Sequence, residues 1–168
     1  MLNKTYRAAI ITVSDKGSKG EREDVSGELI KKTLEAEGFV ISSYAIIPDE
    51  QLLLEKEMKK ICDEGLADLI LTTGGTGFSQ RDRTPEATIA VAERLVPGIP
   101  EAMRMFSMGI TKRAMLSRSV AAIRGKTLIV NLPGSPKAVK ESLDFIITEL
   151  GHGLDILTGN DSECGNQK

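Results

Sequence analysis

The stretch LTTGGTGFSQRD, residues 71–82, sets three glycines directly behind an apolar run: Gly74, Gly75 and Gly77. Glycine loses more backbone freedom on folding than any other residue, so such a cluster is unfavourable unless the backbone must turn sharply or approach something closely. Successive N–H groups in a turn of this kind can form a concave nest that binds anions. The stretch therefore predicts a strand followed by an anion-binding loop, although a sharp turn without a ligand would use the same residues.

The glycine pattern differs from two common phosphate-binding motifs. A Walker A loop would read G-x-x-x-x-G-K-S/T, which does not occur in this sequence. A dinucleotide fingerprint would read G-x-G-x-x-G, but Gln80 stands where the third glycine is required. These mismatches count against P-loop hydrolysis and against NAD binding.

Strand and helix signals alternate outward from this loop. Short apolar runs predict strands over 6–13, 39–47 and 67–73, and a hairpin within 117–134 around Gly125-Lys126. Helical spacing predicts helices over 26–38, 50–65, 84–95 and 135–159, and a partly helical segment over 97–116 with breaks at Pro100 and Gly109. Residues 16–24 are expected to be a loop, and Ser26 and Thr84 to be helix N-caps. Such alternation predicts an α/β fold, a three-layer sandwich with a mostly parallel central sheet, helices on both faces and a small antiparallel hairpin.

Length and composition predict one globular domain over residues 1–168. Of the 168 residues, 40% are apolar and 27% are charged, and the formal net charge is −2. This balance gives no electrostatic reason to expect nucleic acid as a partner. No apolar run approaches the ~20 residues that cross a membrane, so no membrane partner is expected.

Two further expectations concern the cysteines and the chain ends. Cys62 and Cys164 are expected to be free thiols, because no metal-binding spacing occurs. The first residues do not read as a secretion signal, so a cytoplasmic location is expected. Residues 159–168 are polar and are expected to form a flexible tail.

Four segments with functional-looking residues lie at predicted strand ends. They are TVSD (12–15), IIPDE (46–50), TTGGTG (72–77) and NLPGSP (131–136). In open α/β sheets ligands bind beyond the carboxyl ends of the strands, so we expect these segments to form one site. The last segment can add the free N–H groups of a first helical turn, although an ordinary capped helix would look the same.

Three aspartates in or beside these segments, Asp15, Asp49 and Asp82, are candidates for a phosphate-handling site. Mg²⁺ prefers hard oxygen ligands and usually takes one or two carboxylates together with phosphate oxygens. Each aspartate has a simpler alternative role in a turn or a helix cap. Asp49 in particular could cap the helix predicted over 50–65.

Taken together, these segments resemble one family, the molybdopterin adenylyltransferases of the MogA/MoaB type. The resemblance rests on TTGGTGFSQRDRTPEAT (72–88), LSRSVAAIRGKTLIVNLPGSPKAV (116–139), TVSD (12–15) and PDE (48–50). It implies a compact α/β domain that assembles as a homotrimer. It also implies the reaction, in which molybdopterin and MgATP give adenylyl-molybdopterin and pyrophosphate during molybdenum cofactor biosynthesis. A transient contact with the separate molybdate-inserting protein follows from the same resemblance.

The resemblance also implies which residues matter. Asp49 and Asp82 match the critical acids of the family and are the candidate catalytic residues; on the chemistry given above, they are also the candidate Mg²⁺ ligands. The residues expected to bind molybdopterin and ATP are Ser14, Asp15, Gly74, Gly75, Thr76, Gly77, Ser117, Arg118, Pro133 and Gly134. Between the glycine loop and Asp82 this chain reads FSQR, where many relatives have other residues, so details of the pocket can differ.

The predicted chemistry needs charge stabilisation more than proton transfer. Both reacting groups are phosphate anions, so backbone amides, Arg81 or Arg118, and Mg²⁺ would lower their repulsion. The nucleophile is already a phosphate, so no strong general base is required. The main alternative is a catalytically silent molybdopterin-binding protein of the same fold, which the presence of both Asp49 and Asp82 disfavours. A nucleotide pyrophosphatase of this fold, usually with an extra domain, and a purely structural scaffold are weaker alternatives.

Overall fold

A computed structural model of the chain describes residues 5–160, and strands and helices alternate through them. The strands are β1 (Arg7–Val13), β2 (Val40–Ile47), β3 (Leu69–Thr73), β4 (Arg94–Leu95), β5 (Ala121–Arg124) and β6 (Thr127–Leu132). The α-helices are α1 (Asp15–Ser18), α2 (Val25–Ala36), α3 (Gln51–Asp63), α4 (Thr84–Val91), α5 (Gly98–Met108) and α6 (Pro136–Thr158). A 3-10 helix covers Lys112–Leu116.

The strands form one mixed sheet in the order β2-β1-β3-β6-β5-β4. β1 pairs in parallel with β2 and β3, and β3 pairs in parallel with β6. β5 and β6 form the predicted antiparallel hairpin, whose turn contains Gly125 at φ +57°. The predicted fold class is confirmed. Because β1, β2, β3 and β6 run in the same direction, the loops after Val13, Ile47, Thr73 and Leu132 leave the sheet at one edge.

Apolar side chains pack on both faces of the sheet. On one face α2, α5 and α6 contribute buried residues such as Leu34, Met103 and Leu143. On the other face α3 and α4 contribute buried residues such as Leu54 and Val91. The central strands β1 and β3 are almost wholly buried, which explains why they read as continuous apolar runs. The core therefore fixes the carboxyl ends of these strands rigidly.

Several element boundaries differ from the sequence prediction. The N-cap of α2 is Asp24, whose side chain accepts the N–H of Gly27, so the expectation for Ser26 is wrong. The N-cap of α4 is Arg83, and Thr84 is its first residue, where its hydroxyl serves another purpose described below. Pro100 does not break α5, because it lies in the first turn, where its missing N–H has no helical partner to lose.

Two short elements were not expected, and the chain's last segment is only partly described. α1 forms inside the predicted loop over 16–24, and β4 forms where α4 was expected to continue to residue 95. Gly159 ends α6 in the left-handed conformation at φ +76°. The remainder of the expected flexible tail, residues 161–168, lies outside the described residues. Among residues 5–160, no helix has the length and apolarity to cross a membrane.

Two leucines of α3 test which face of that helix is buried. Leu54 is 1% exposed and Leu52 is 77% exposed. We expect Leu54→Ala to lower the free energy of unfolding by about 2–5 kcal/mol, because it leaves a cavity in the core. The same deletion at Leu52 should change it by less than about 0.5 kcal/mol. Urea unfolding measures both values, and equal losses would contradict the orientation of α3.

Candidate functional site

The backbone of the glycine loop, residues 74–77, is held from behind by the start of α4. The hydroxyl of Thr84 donates to the carbonyl of Gly74 at 2.9 Å. The N–H of Thr84 donates to the carbonyl of Gly75 at 3.1 Å. Thr84 is fully buried, so these two bonds are shielded from water. They explain why a threonine opens α4 although it does not cap that helix.

Arg118 holds the second half of the same loop. Its backbone N–H donates to the carbonyl of Thr76 at 3.0 Å, and its Nε donates to the carbonyl of Gly77 at 2.7 Å. All four carbonyls of residues 74–77 are therefore occupied. Within the described part of the chain, the N–H groups of Gly75, Thr76 and Gly77 donate to no protein atom. A run of free amides of this kind matches the anion nest that the sequence predicts.

Two of the loop glycines occupy conformations that exclude other residues. Gly74 has φ +95°, and a Cβ there would lie 2.4 Å from the carbonyl oxygen of Val13. Gly75 has φ +65°, and a Cβ there would lie 2.3 Å from the Thr84 hydroxyl oxygen. Both the backbone angle and the missing side chain are thus required. The close approach predicted from the sequence is an approach to the ends of β1 and α4.

The loop after β6 packs directly against the glycine loop. A Cβ on Gly134 would lie 3.4 Å from the Cα of Gly74. The hydroxyl of Thr73 donates to the carbonyl of Pro133 at 2.6 Å, and the hydroxyl of Ser26 donates to the carbonyl of Gly134 at 2.9 Å. Two of the four predicted strand-end segments therefore meet through backbone contact.

The other two strand-end segments meet through a reciprocal pair of aspartates. The N–H of Asp15 donates to Oδ2 of Asp49 at 2.8 Å, and the N–H of Asp49 donates to Oδ1 of Asp15 at 3.0 Å. The N-cap of α3 is Glu50, so the simple capping role considered for Asp49 is wrong. Ser14 caps α1, its hydroxyl accepting the N–H of Gly17 at 3.0 Å. These bonds join the ends of β1 and β2.

Asp82 is held in a tight turn behind the glycine loop. Its Oδ2 accepts the N–H of Ser79 at 2.9 Å, and its own N–H donates to the carbonyl of Ser79 at 3.0 Å. The same oxygen would lie 2.9 Å from a Cβ on Gly77, so the third glycine makes room for this carboxylate. Asp82 and Asp49 line one pocket, and the Asp82 charge acts on Asp49.

The paired aspartates differ in their affinity for a proton. Burial raises the pKa of Asp49, and the nearby carboxylates of Asp15 and Asp82 raise it further, against the opposing effects of the Asp15 N–H and of Arg81. The hydrogen bonds from the Arg81 guanidinium lower the pKa of Asp15, together with the N–H of Asp49. Of these two aspartates, Asp15 accepts hydrogen bonds from Arg81 and Asp49 does not, so the ionised form of Asp49 is the less stable.

Both arginines that the sequence offered for charge stabilisation are engaged with the protein. Arg81 donates to Asp15 at 2.8 and 3.1 Å and to Glu50 at 2.9 Å. Arg118 donates to the carbonyl of Asp82 at 2.6 Å and forms a short contact with Glu86, in addition to its bond to the glycine loop. Arg118 thus positions the loop.

The predicted site residues fall into two neighbouring pockets on either side of the glycine loop. The first, which we call the acid pocket because Asp49 and Asp82 line it, has a volume of about 690 Å³. Its predicted members are Ser14, Asp49, Gly74, Gly75, Asp82 and Gly134. The second pocket has a volume of about 310 Å³, and its predicted members are Thr76, Gly77, Ser117 and Pro133. Asp15 and Arg118 lie behind these walls and hold residues that form them.

One cluster in the acid pocket was missed by sequence reasoning. Asp24 accepts hydrogen bonds from the hydroxyls of Thr12 at 2.5 Å and Tyr44 at 2.6 Å, and from the N–H of Gly27 at 2.9 Å. Burial and the Asp24 carboxylate raise the pKa of Tyr44, so the phenol stays protonated as a donor. A Cβ on Gly27 would lie 2.2 Å from the Asp24 carboxylate. The signal was present in the D-x-S-G spacing at residues 24–27.

Comparisons with known proteins identify the family. Residues 9–152 match the family described as "Probable molybdopterin binding domain". The chain belongs to this molybdopterin-binding domain family. It is 42% identical over 161 residues to a molybdopterin adenylyltransferase of Helicobacter pylori, covering 94% of this chain and 90% of that protein. The corresponding Escherichia coli enzyme is 41% identical over 145 residues, which are 84% of this chain and 74% of the relative.

A solved structure extends the likeness to three dimensions. The molybdopterin biosynthesis enzyme MoaB from Thermus thermophilus is 46% identical, with a TM-score of 0.87, and the match covers 92% of this chain and 98% of that one. The family resemblance inferred from the sequence motifs is confirmed. Within residues 5–160 of this molybdopterin-binding domain, no three His, Cys, Asp or Glu side chains form a group that could hold a metal ion. A cation there would need further ligands besides Asp49 and Asp82.

In this molybdopterin-binding domain, the pKa values of Asp49 and Asp15 are shifted in opposite directions, so matched substitutions should have opposite effects on stability. The raised pKa of Asp49 means that the folded state binds its proton more tightly, so stability falls as pH rises above about 4, the ordinary Asp pKa. We expect Asp49→Asn to increase the free energy of unfolding at pH 7. The lowered pKa of Asp15 contributes stability above that pH, which is lost on acidification. We expect Asp15→Asn to decrease the free energy of unfolding at pH 7.

Urea unfolding of both variants at pH 7 and pH 3 tests this. Asparagine keeps an oxygen that can accept the N–H of the partner residue, so the substitutions change charge more than shape. The two differences from the parent protein should shrink at pH 3. Changes of the same sign at pH 7 would contradict the electrostatic assignment.

Proposed function

We propose that this protein is a molybdopterin adenylyltransferase, which transfers AMP from ATP to molybdopterin and releases pyrophosphate during molybdenum cofactor biosynthesis. One observation carries the proposal: the free backbone amides of residues 75–77 lie between two pockets, one of which contains Asp49 and Asp82. Such a site suits the joining of two phosphate groups. The relatives from Helicobacter pylori and Escherichia coli that bear this enzyme name support the choice of substrates.

The reaction forms one P–O bond and breaks another. An oxygen of the molybdopterin phosphate attacks the α-phosphorus of ATP, and the bond from that phosphorus to the pyrophosphate oxygen breaks. Free amides of the glycine loop donate hydrogen bonds to the phosphoryl oxygens, where negative charge accumulates. They are already fixed by Thr84 and Arg118, so little reorganisation is needed as the charge develops. No protein group has to remove a proton from a phosphate that is already ionised.

The residues present fit a magnesium ion that enters with the nucleotide. Asp49 and Asp82 supply two carboxylates in one pocket, and Mg²⁺ usually takes one or two carboxylates with phosphate oxygens and water. The raised pKa of Asp49 shows that its negative charge is poorly compensated by the protein. When bound, the ion would neutralise phosphate charge. Asp49 and Asp82 would hold it while the glycine loop holds the phosphoryl oxygens.

Radiolabel transfer tests the proposed activity. Molybdopterin incubated with Mg²⁺ and ATP labelled with ³²P at the α-phosphate should give labelled adenylyl-molybdopterin and unlabelled pyrophosphate. We expect Asp82→Ala to reduce the rate by at least about a hundredfold, because the pocket loses a carboxylate beside the reacting groups. Asp49→Ala should raise the Mg²⁺ concentration that gives half-maximal rate.

Asp144→Ala is the matched control, because Asp144 is an exposed aspartate whose one ion pair among the described residues is with Lys140 on α6. It should leave both the rate and the magnesium dependence unchanged. If the parent protein binds molybdopterin but transfers no label, the catalytically silent alternative is correct. Full turnover by Asp82→Ala would remove Asp82 from the mechanism.

We further propose that the protein is a homotrimer. An exposed apolar surface on α5, the 3-10 helix and α6 supports this. It consists of Met105, Phe106, Met108, Ile110, Met115, Leu116 and Phe145, and Met105 is 70% exposed. Phe106 stacks on Phe145 with ring centroids 4.4 Å apart, which makes part of this surface rigid. Contiguous apolar surfaces of this kind usually mark protein–protein contacts. A cytoplasmic location and a transient contact with the molybdate-inserting protein stay predictions from the sequence.

The proposed trimer can be tested by its molecular mass and by a substitution in the apolar surface. Light scattering should give about three times the monomer mass of 18.2 kDa. Met105→Glu places a charge in the apolar surface and should shift the mass towards the monomer. Glu57→Lys on α3, outside this surface, is the control and should leave the mass unchanged. A parent protein that runs as a monomer would contradict the proposed assembly.

A further inference from the structure

We propose that Arg22 binds a phosphate group of the substrate in the acid pocket. This inference rests on the proposed function, because that function brings a phosphate anion into the pocket. Sequence motifs did not single out Arg22, and the argument for it comes from the charges that line the pocket and from the contacts that each arginine makes.

The acidic side chains of the acid pocket carry more negative charge than one magnesium ion that enters with the nucleotide would neutralise. Four acidic residues line it: Glu23, Asp24, Asp49 and Asp82. Arg22 is the one lysine or arginine among the described residues that line this pocket. An incoming polyphosphate is repelled by several carboxylates at once, and a guanidinium at the same wall offsets part of that repulsion.

The other nearby arginines cannot supply this charge without losing structural bonds. Arg81 is paired with Asp15 and Glu50. Arg118 holds the glycine loop and Glu86. Arg22, by contrast, forms no hydrogen bond or ion pair with any residue between 5 and 160. Its five N–H donors are therefore available to a ligand.

The segment that carries Arg22 is short and fixed at both ends. On one side, the N–H of Glu21 donates to the carbonyl of Lys16 at 2.9 Å. On the other side, Asp24 caps α2 and binds the hydroxyl of Thr12. The backbone of residue 22 is thus placed at the pocket wall before substrate arrives. The planar guanidinium that this backbone carries can bind phosphate through two parallel hydrogen bonds, which a lysine cannot do.

Two substrate groups share this chemistry, the polyphosphate of ATP and the terminal phosphate of molybdopterin. Calorimetric binding of inorganic pyrophosphate, of MgATP and of molybdopterin to the intact protein distinguishes them. We expect Arg22→Ala to weaken binding of pyrophosphate and MgATP by roughly ten- to a hundredfold, the effect of losing a charged hydrogen bond. Arg22→Lys should recover part of the affinity. A loss confined to molybdopterin would instead assign Arg22 to the pterin phosphate.

Lys19→Ala is the matched control, because Lys19 belongs to the same loop but does not line the pocket. It removes the same charge and should change each affinity by less than about twofold. Since Arg22 is exposed, Arg22→Ala should unfold at the same urea concentration as the parent protein. Unchanged affinities for all three ligands, or equal losses in both variants, would overturn the proposal.

The same measurements separate this inference from the proposed function. If the parent protein binds pyrophosphate in an Arg22-dependent way but forms no adenylyl-molybdopterin, the phosphate site stands and the enzyme assignment fails. If adenylyl transfer occurs with full affinity in Arg22→Ala, the enzyme assignment stands and the role of Arg22 is refuted. A parent protein that binds none of the three ligands would refute both.

Discussion

The carbonyl groups of residues 74–77 are all held on one side, and the rest of the candidate site depends on this constraint. Thr84 and Arg118 supply the donors, and they come from the start of α4 and the segment before β5. The loop is therefore fixed through its carbonyls by two separate parts of the fold, while the amides of residues 75–77 stay free. Glycine at residues 74 and 75 is the only residue type that satisfies both the positive φ and the contacts with neighbouring atoms. Backbone geometry thus explains why glycines cluster directly after β3.

The electrostatics of the site follow from how the chain uses its charged residues. Arg81 stabilises the ionised form of Asp15, whereas Asp49 receives little compensation and lies near two other carboxylates. A carboxylate whose ionised form is disfavoured is stabilised most by an incoming cation, since the cation offsets the repulsion from the neighbouring carboxylates and supplies the missing positive charge. In the proposed mechanism, this deficit lies where a magnesium–nucleotide complex would bring positive charge. Under that mechanism, stability and function make opposite demands on Asp49.

The sequence predicted the architecture and the location of the site better than the roles of single side chains. Continuous apolar runs identify β1 and β3, and a helical pattern identifies α6, because burial acts on whole elements. The strand-end rule brings Asp49 and the glycine loop together because parallel strands share a direction. No comparable sequence pattern predicts the direction in which a long side chain points. Arg118 looks like a ligand-binding residue in sequence, but packing directs its guanidinium to backbone carbonyls and to Glu86. The D-x-S-G spacing could have marked Asp24 as a helix cap, but its other partners, the hydroxyls of Thr12 and Tyr44, are too distant in sequence to be predicted.

The position of the glycine loop also bears on how two substrates could meet. The loop forms part of the wall of both the acid pocket and the second pocket, and Gly134 packs against Gly74 where the two walls join. In the proposed enzyme, two phosphate groups bound on opposite sides would therefore approach the same backbone segment. Group transfer depends steeply on the distance and alignment of the reacting atoms, so a shared segment of fixed backbone would favour the proposed reaction. On this interpretation the glycine loop serves the reaction twice, by exposing amides and by forming part of the wall of both pockets.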